Sequence, residues 1–220
     1  MPHIDAQLVI EGLIMLILSI TVHEFGHAIV ADRLGDRLPR YQGRVSLNPL
    51  VHADPIGTLL IPVVGLLSGG MMFGWGRPVQ VSPGSFTRKL RMRTAHLIVA
   101  AAGPAMNILF GITIALILFG LYRFGGLEVN PYGLYGALAK AIMLNFVLAV
   151  FNLLPCPPLD GGTVLAGLLP DRYLPAYERF AKYGIFILLA FMFIGPLQRA
   201  FLLPAGLAYS AVTGLLGLPH

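Results

Sequence analysis

The sequence predicts an all-α polytopic membrane protein with about four to six transmembrane helices and a short membrane-associated hairpin or re-entrant segment. Of its 220 residues, 56% are hydrophobic and 11% are charged, and the mean hydropathy is +0.78. A soluble domain of this size carries about twice that charged fraction. The polar stretches between the apolar runs are short. We therefore expect a single membrane-embedded domain over residues 1–220, with a core at 6–170 and a C-terminal helical segment at 171–220.

The first apolar run, residues 6–34, is long enough to cross a bilayer, since a crossing helix needs about 20 residues. Four arginines lie at or after its C-terminal end: Arg33, Arg37, Arg40 and Arg44. The positive-inside rule therefore places this end in the cytoplasm and the N-terminus outside. The residues before the run include no lysine or arginine, so we expect no cleaved signal peptide.

This first run contains His23-Glu24-Phe-Gly-His27, an H-E-x-x-H pattern. Residues four apart share one face of a helix, so His23 and His27 can bind one metal ion from the same side. Glu24 lies close to that face, where its carboxylate could take a proton from a water on the metal. Ionisable groups inside a membrane are costly unless a partner compensates them, and a divalent metal does so. The chain has a single cysteine, so the ligands must be His, Asp or Glu.

Two stretches follow the first run. Residues 41–56 contain two X-Pro pairs typical of turns, and we expect a short hairpin there, close to the metal site. His52 and Asp54 in this stretch either contact a metal ligand or stabilise the loop itself. The apolar segment 56–73 is interrupted by glycine and proline. Because basic loops flank it on both sides, we favour a segment that enters the membrane and returns over an ordinary crossing.

Two further apolar runs, residues 96–122 and 134–154, are predicted to cross the membrane outward and back. Asn107 in the first either forms a buried hydrogen bond between helices, which we favour, or lines the site. The second run ends on the cytoplasmic side in a turn rich in proline and glycine that contains Asp160. Catalytic zinc sites usually have three protein ligands. We therefore interpret Asp160 as the third ligand, in preference to the alternative of a helix N-cap.

The C-terminal part contains two apolar segments, residues 183–194 and 202–218, after a polar linker at 171–182. They form either two crossings or one crossing and an interfacial helix. No internal repeat is evident in the sequence, which counts against a transporter built from inverted repeats.

Three sequence elements together resemble the site-2 protease family of intramembrane zinc metalloproteases, in its small prokaryotic branch without a PDZ domain. They are His23-Glu-Phe-Gly-His27, Gly103-Pro-Ala-Met-Asn107 and Asn152-Leu-Leu-Pro-Cys-Pro-Pro-Leu-Asp160-Gly161. The resemblance covers roughly residues 8–170. It implies one zinc ion bound at His23, His27 and Asp160, with Glu24 as the general base. It also implies that Asn152 lies close to the site and positions the substrate or an oxyanion.

We therefore predict an intramembrane zinc endopeptidase that cleaves membrane-embedded or membrane-proximal substrates near the cytoplasmic face of a prokaryotic inner membrane. Its expected partners are a peptide or membrane-protein substrate and the lipid bilayer, with no nucleic acid, and a homo-oligomer is left open. The alternative is a catalytically silent metal-binding membrane scaffold or regulator. Glu24 and Asp160 favour the enzyme, because the loss of either one would have favoured the silent form.

Overall fold

The computed structural model describes residues 6–67 and 74–219, and most of these are helical. In chain order the helices are α1 (Ala6–Arg33), α2 (Leu38–Tyr41), α3 (Pro49–His52), α4 (Ile61–Leu67), α5 (Met92–Phe124), α6 (Leu134–Asn152), α7 (Asp160–Leu168), α8 (Leu174–Ala181), α9 (Gly184–Phe193) and α10 (Gly195–Leu215). Shorter helical turns lie at Pro55–Leu60, Pro83–Ser85 and Asp171–Tyr173. The described residues contain no strand, so the prediction of an all-α protein is confirmed.

Three helices among the described residues are long and apolar enough to cross a membrane, namely Val9–Arg33 within α1, all of α5 and all of α6. The protein is therefore an integral membrane protein. α5 packs against both α1 and α6. The two C-terminal segments of the sequence correspond to α9 and to most of α10, and α10 packs against α6. The total of about four to six crossings remains a prediction.

Small residues allow α1 and α5 to approach each other closely. A Cβ atom on Gly26 of α1 would lie 2.7 Å from the carbonyl oxygen of Ala102 and 2.7 Å from Cγ of Met106, both on α5. A buried cluster between α5 and α6 contains Ile114, Leu118, Ile142 and Phe146. Association of helices in lipid depends on close packing of this kind, because lipid tails are as apolar as the side chains. The close approach at Gly26 packs the C-terminal half of α1 against α5.

The two ends of the segment 55–74 lie next to each other. Asp54 caps its first turn, where the carboxylate accepts hydrogen bonds from two backbone N–H groups at 3.0 and 2.7 Å. Residues 68–73 lie outside the described residues. Beyond them, Trp75 donates its backbone N–H to the carbonyl of Gly57 at 3.1 Å. A single crossing would separate these two ends by about 30 Å. The closeness of these two ends agrees with the re-entrant segment favoured from the sequence, and the path of the segment through the membrane stays a prediction.

The hairpin expected in residues 41–56 is not formed. α3 lies there instead, with Asn48 as its N-cap and Pro49 as its first residue. The Asn48 side chain accepts a hydrogen bond from the N–H of Leu50 at 3.1 Å. An Asn-Pro pair starts a helix as readily as a turn, because the asparagine caps a free N–H group and proline has none to satisfy. Helix capping therefore explains the sequence pattern better than a hairpin does.

Residues 74–82, which we call the connecting segment, form neither helix nor strand. The backbone N–H of Arg77 donates to the carbonyl of His52 at 2.8 Å. At the far end, the N–H of Ser82 donates to the carboxylate of Asp36 at 2.5 Å. These hydrogen bonds hold the connecting segment beside α3 and the C-terminal end of α1.

Gly26→Ala is expected to lower the stability of the protein, because the new methyl group would meet the main chain of α5 at Ala102. Overpacking of this kind costs about 1–3 kcal/mol. The measurement is the thermal unfolding temperature of the purified protein in detergent. Gly206→Ala in α10 is the matched control, because nothing lies within 4 Å of its Cβ position. Equal unfolding temperatures for the two variants would contradict the close contact between α1 and α5.

Candidate metal centre

The three predicted ligands come together from distant parts of the chain. Nε2 of His23 lies 3.1 Å from Oδ2 of Asp160, and Nε2 of His27 lies 3.3 Å from the same oxygen. The two Nε2 atoms are 3.1 Å apart. The histidines are one turn apart on α1, whereas Asp160 is the first residue of α7. Both histidines are buried and Asp160 is partly buried.

When both rings are neutral, their hydrogen bonds favour a lone pair rather than a proton on each of the two Nε2 atoms. Nδ1 of His27 lies 2.8 Å from the carbonyl oxygen of Val99, which can only accept a hydrogen bond. Nδ1 of His23 lies 2.6 Å from Oδ1 of Asn107. Each neutral ring therefore has its proton on Nδ1 and an unprotonated Nε2. Oδ2 of Asp160 is buried without a hydrogen-bond donor. Three potential electron-pair donors converge, and a metal cation bound among them would compensate their mutual repulsion.

The spacing of the three ligand atoms fits zinc. Zinc in proteins is tetrahedral, with nitrogen and carboxylate ligands at about 2.0 Å, which places neighbouring ligand atoms about 3.3 Å apart. The observed separations are 3.1, 3.1 and 3.3 Å. Three protein ligands leave a fourth position, the number typical of a catalytic rather than a structural zinc site.

Gly103 of α5 makes room for the two imidazole rings. A Cβ atom at this position would clash with Nε2 of His27 and would lie 2.7 Å from Cε1 of His23. This glycine is buried within a helix, so its backbone conformation is one that any residue adopts. Glycine matters here because it has no side chain. α5 can therefore pass directly beside the rings.

A compact turn between α6 and α7 positions Asp160. The N-cap of α7 is Leu159, which forms no side-chain cap, so the N-cap interpretation of Asp160 is not supported. A Cβ atom on Gly161 would clash with the carbonyl groups of Leu153 and Leu154. From α8, the hydroxyl of Tyr177 donates to the carbonyl of Gly162 at 2.7 Å. The two glycines let the start of α7 press against the turn, and this fixes the carboxylate.

Glu24 is buried beside the connecting segment. Its Oε2 accepts a hydrogen bond from the backbone N–H of Val79 at 3.0 Å. Gly76 lies next to it, since a Cβ atom there would be 3.5 Å from Cγ of Glu24 and 2.5 Å from Cγ2 of Ile20. The sequence did not indicate that residues 74–82 would approach Glu24, because this contact depends on the return of the re-entrant segment.

The other candidate residues take different places. Asn152, in the last turn of α6, donates from Nδ2 to the carbonyl of Leu148 at 3.0 Å, and none of its recorded contacts reaches the ligand atoms. His52 is fully buried and bonds through Nε2 to the carbonyl of Ser46 at 2.8 Å. Asp54 caps the re-entrant segment. Both loop residues therefore stabilise the loop, which was one of the two roles considered for them.

Asn107 combines the two roles considered for it. It bonds to His23, and its Nδ2 donates to Oδ1 of Asn145 on α6 at 3.0 Å. Sequence reasoning did not identify Asn145, Gly103 or the carbonyl of Val99 as parts of the site. Only the Gly103-to-Asn107 motif pointed to this region of α5.

Comparison with known proteins agrees with this geometry. The chain matches the model of Peptidase family M50 over residues 11–129 and 125–195. It is 38% identical over 193 residues to "Putative zinc metalloprotease YwhC" of Bacillus subtilis, which covers 87% of this chain and 83% of that protein. "Putative zinc metalloprotease Rip2" of Mycolicibacterium smegmatis is 32% identical over 194 residues, or 88% of this chain and 70% of that protein. No solved structure matches the chain at a significant level. The chain therefore belongs to peptidase family M50, the site-2 protease family that its three motifs resemble.

Proposed function

We propose that the protein is an intramembrane zinc endopeptidase in which His23, His27 and Asp160 bind zinc and Glu24 is the general base. The observation that carries the proposal is the convergence of three potential ligand atoms, 3.1–3.3 Å apart, two of them on a helix long enough to cross the membrane. Membership of peptidase family M50 makes the protein a zinc metallopeptidase with a peptide or protein substrate in a lipid environment.

The chemistry follows from the residues around the ligands. Bound zinc supplies a Lewis acid that lowers the pKa of a coordinated water toward about 7 and polarises a carbonyl group. Glu24 follows the first ligand directly in α1, and its carboxylate would accept the proton of the attacking water and donate it to the leaving amine nitrogen. The N–H of Val79 holds one oxygen of this carboxylate in place.

The connecting segment is the candidate edge for binding substrate. Its main chain at Val79 lies beside the proposed general base. An extended peptide that pairs with this main chain would bring its own scissile bond close to Glu24. Asn152 stays a candidate for contact with the substrate or an oxyanion. To make that contact, its amide must leave the carbonyl of Leu148.

We propose further that the N-terminus lies outside the inner membrane of a prokaryotic cell and that the site opens toward the cytoplasm. The arginines at the C-terminal end of α1, beginning with Arg33, support this orientation. At 1.5 Å per residue, His23 lies about 15 Å before Arg33 along the helix axis. Cleavage is therefore expected within the bilayer, nearer its cytoplasmic face.

The ligand set predicts the metal content of single variants. The wild-type protein should hold about one zinc per chain, and His23→Ala and Asp160→Ala should lose most of it, because two ligands are too few for a tight site. Elemental analysis of the purified proteins measures this. His96→Ala, which removes a histidine outside the ligand group, should keep its zinc. Zinc held equally well by Asp160→Ala would exclude the proposed third ligand.

Glu24→Gln should keep zinc and lose proteolysis, because the amide cannot accept the proton of the attacking water. Loss of a general base lowers the rate about 10²–10⁴-fold. The assay follows cleavage of a labelled, unfolded protein in detergent micelles, together with zinc content. Glu11→Gln changes an exposed carboxylate on the same helix and should remain active. Undiminished cleavage by Glu24→Gln would remove the general-base role. Retained zinc without cleavage in the wild type would favour the silent scaffold.

Gly103→Ala should weaken zinc binding without unfolding the protein, because its methyl group would occupy the space of the His27 ring. Overpacking would force the rings out of the ligand geometry. Gly120→Ala on the same helix is the control, since nothing lies within 4 Å of its Cβ position. Zinc titration of both variants measures the difference. Equal zinc affinities would show that α5 does not confine the rings.

A further inference from the structure

We propose that Asn107 and Asn145 are positioning residues that determine which nitrogen of His23 faces the metal. The inference rests on the proposed function, in which His23 binds zinc through Nε2. Neither asparagine is a proposed ligand, and they lie on different helices, Asn107 on α5 and Asn145 on α6. Both side chains are fully buried.

The main chain fixes the orientation of the Asn145 amide. Its Nδ2 donates to the carbonyl oxygen of Ala141 at 2.9 Å and to the hydroxyl of Ser19 at 3.0 Å. A carbonyl oxygen can only accept a hydrogen bond, so the NH₂ group must point toward Ala141. Oδ1 of Asn145 therefore points toward Asn107.

The orientation of the Asn107 amide follows from this. Its Nδ2 donates to Oδ1 of Asn145 at 3.0 Å and to the carbonyl of Ser19 at 3.0 Å. Both partners are acceptors, so reversing the amide would break two buried hydrogen bonds. Oδ1 of Asn107 consequently faces Nδ1 of His23 at 2.6 Å. This oxygen requires a proton on Nδ1, which leaves Nε2 unprotonated and free to bind a metal.

His27 reaches the same state by a different route. Its Nδ1 bonds directly to the main-chain carbonyl of Val99 at 2.8 Å. No side chain is needed to set the tautomer of His27. The tautomer of His23 depends on the Asn107 amide, whose orientation depends in turn on the Asn145 amide. Side-chain substitutions can therefore change His23 alone, and His27 serves as an internal reference.

A purely structural role for the asparagines makes different predictions. Buried asparagines also hold membrane helices together, and that role does not need an acceptor facing His23. Asn107→Asp separates the two roles, because an ionised carboxylate keeps an acceptor oxygen toward His23 but cannot donate to Asn145 or Ser19. Asn107→Leu removes both the acceptor that faces His23 and the hydrogen bonds between helices, while the side chain keeps a similar volume.

The test measures the zinc dissociation constant of each purified variant by competition with a chelator, together with the unfolding temperature of its metal-free form. Asn107→Leu should bind zinc about 10–100-fold more weakly than the wild type. Asn107→Asp should stay close to the wild-type affinity despite a lower unfolding temperature. Tyr135→Phe loses a partly buried hydrogen bond to the carbonyl of Pro219 and should keep wild-type affinity.

Asn145 is tested by its dependence on Asn107. Asn145→Leu should weaken zinc binding less than Asn107→Leu does, because it acts only through the Asn107 amide. The double variant should then bind zinc no more weakly than Asn107→Leu alone. Additive losses would assign Asn145 to helix packing and would overturn its positioning role.

A spectroscopic measurement tests the tautomer directly. Nitrogen-15 NMR of labelled histidines in the metal-free protein distinguishes protonation at Nδ1 from protonation at Nε2, with His23 assigned by comparison with His23→Ala. The wild type should show protonated Nδ1 at His23, and Asn107→Leu should show a mixture of tautomers. Nδ1 of His27 should stay protonated in both proteins, because its partner is the main-chain carbonyl of Val99.

The outcomes separate this inference from the proposed function. If His23→Ala loses zinc and Asn107→Leu keeps both wild-type affinity and the wild-type tautomer, the positioning role is overturned and the ligand set stands. If the folded wild type binds no zinc, both proposals are overturned. A loss of affinity as large in Asn107→Asp as in Asn107→Leu would reduce Asn107 to a packing residue.

Discussion

The proposed zinc site depends on keeping two imidazole nitrogens and one carboxylate oxygen unprotonated and close together in a largely buried site. Such a group repels itself unless a cation lies within it, and the cost rises where water is excluded. Each neighbouring element meets part of this requirement. α1 supplies the histidines, α5 supplies an acceptor for each Nδ1, and the turn before α7 delivers the carboxylate. The close packing of α1 on α5 is therefore part of the chemistry as well as of the fold.

Local spacing was enough to propose His23, Glu24 and His27 as site residues, because one helical turn determines which side chains share a face. Asp160 required topology as well, since only the direction of the crossing helices placed its turn beside α1. The supporting groups could not be found in this way. The carbonyl of Val99 and the missing side chain at Gly103 contact the histidines only because of how α5 is rotated toward α1. That rotation is a property of tertiary packing and leaves no periodic pattern in the sequence.

The loop region shows both the value and the limit of the same reasoning. Charge on both sides of the segment 56–73 favoured a re-entrant path, and the hydrogen bond between Trp75 and Gly57 agrees with it, because the positive-inside rule acts through the membrane and is independent of local structure. The prediction of a hairpin at 41–56 was wrong, because proline and asparagine occur both in turns and at helix starts. Only the hydrogen-bonding partners of Asn48 distinguish the two, and these belong to the folded protein.

The amide network described above also limits how the protein can move. Ser19, Asn107 and Asn145 join three helices through hydrogen bonds that have one possible direction. A rotation of α6 by one residue, about 100° around its axis, would break the network inside an apolar interior. α1, α5 and α6 therefore behave as a rigid frame. A peptide must therefore reach the proposed metal site without a change in the rotation of α6 against α1 and α5.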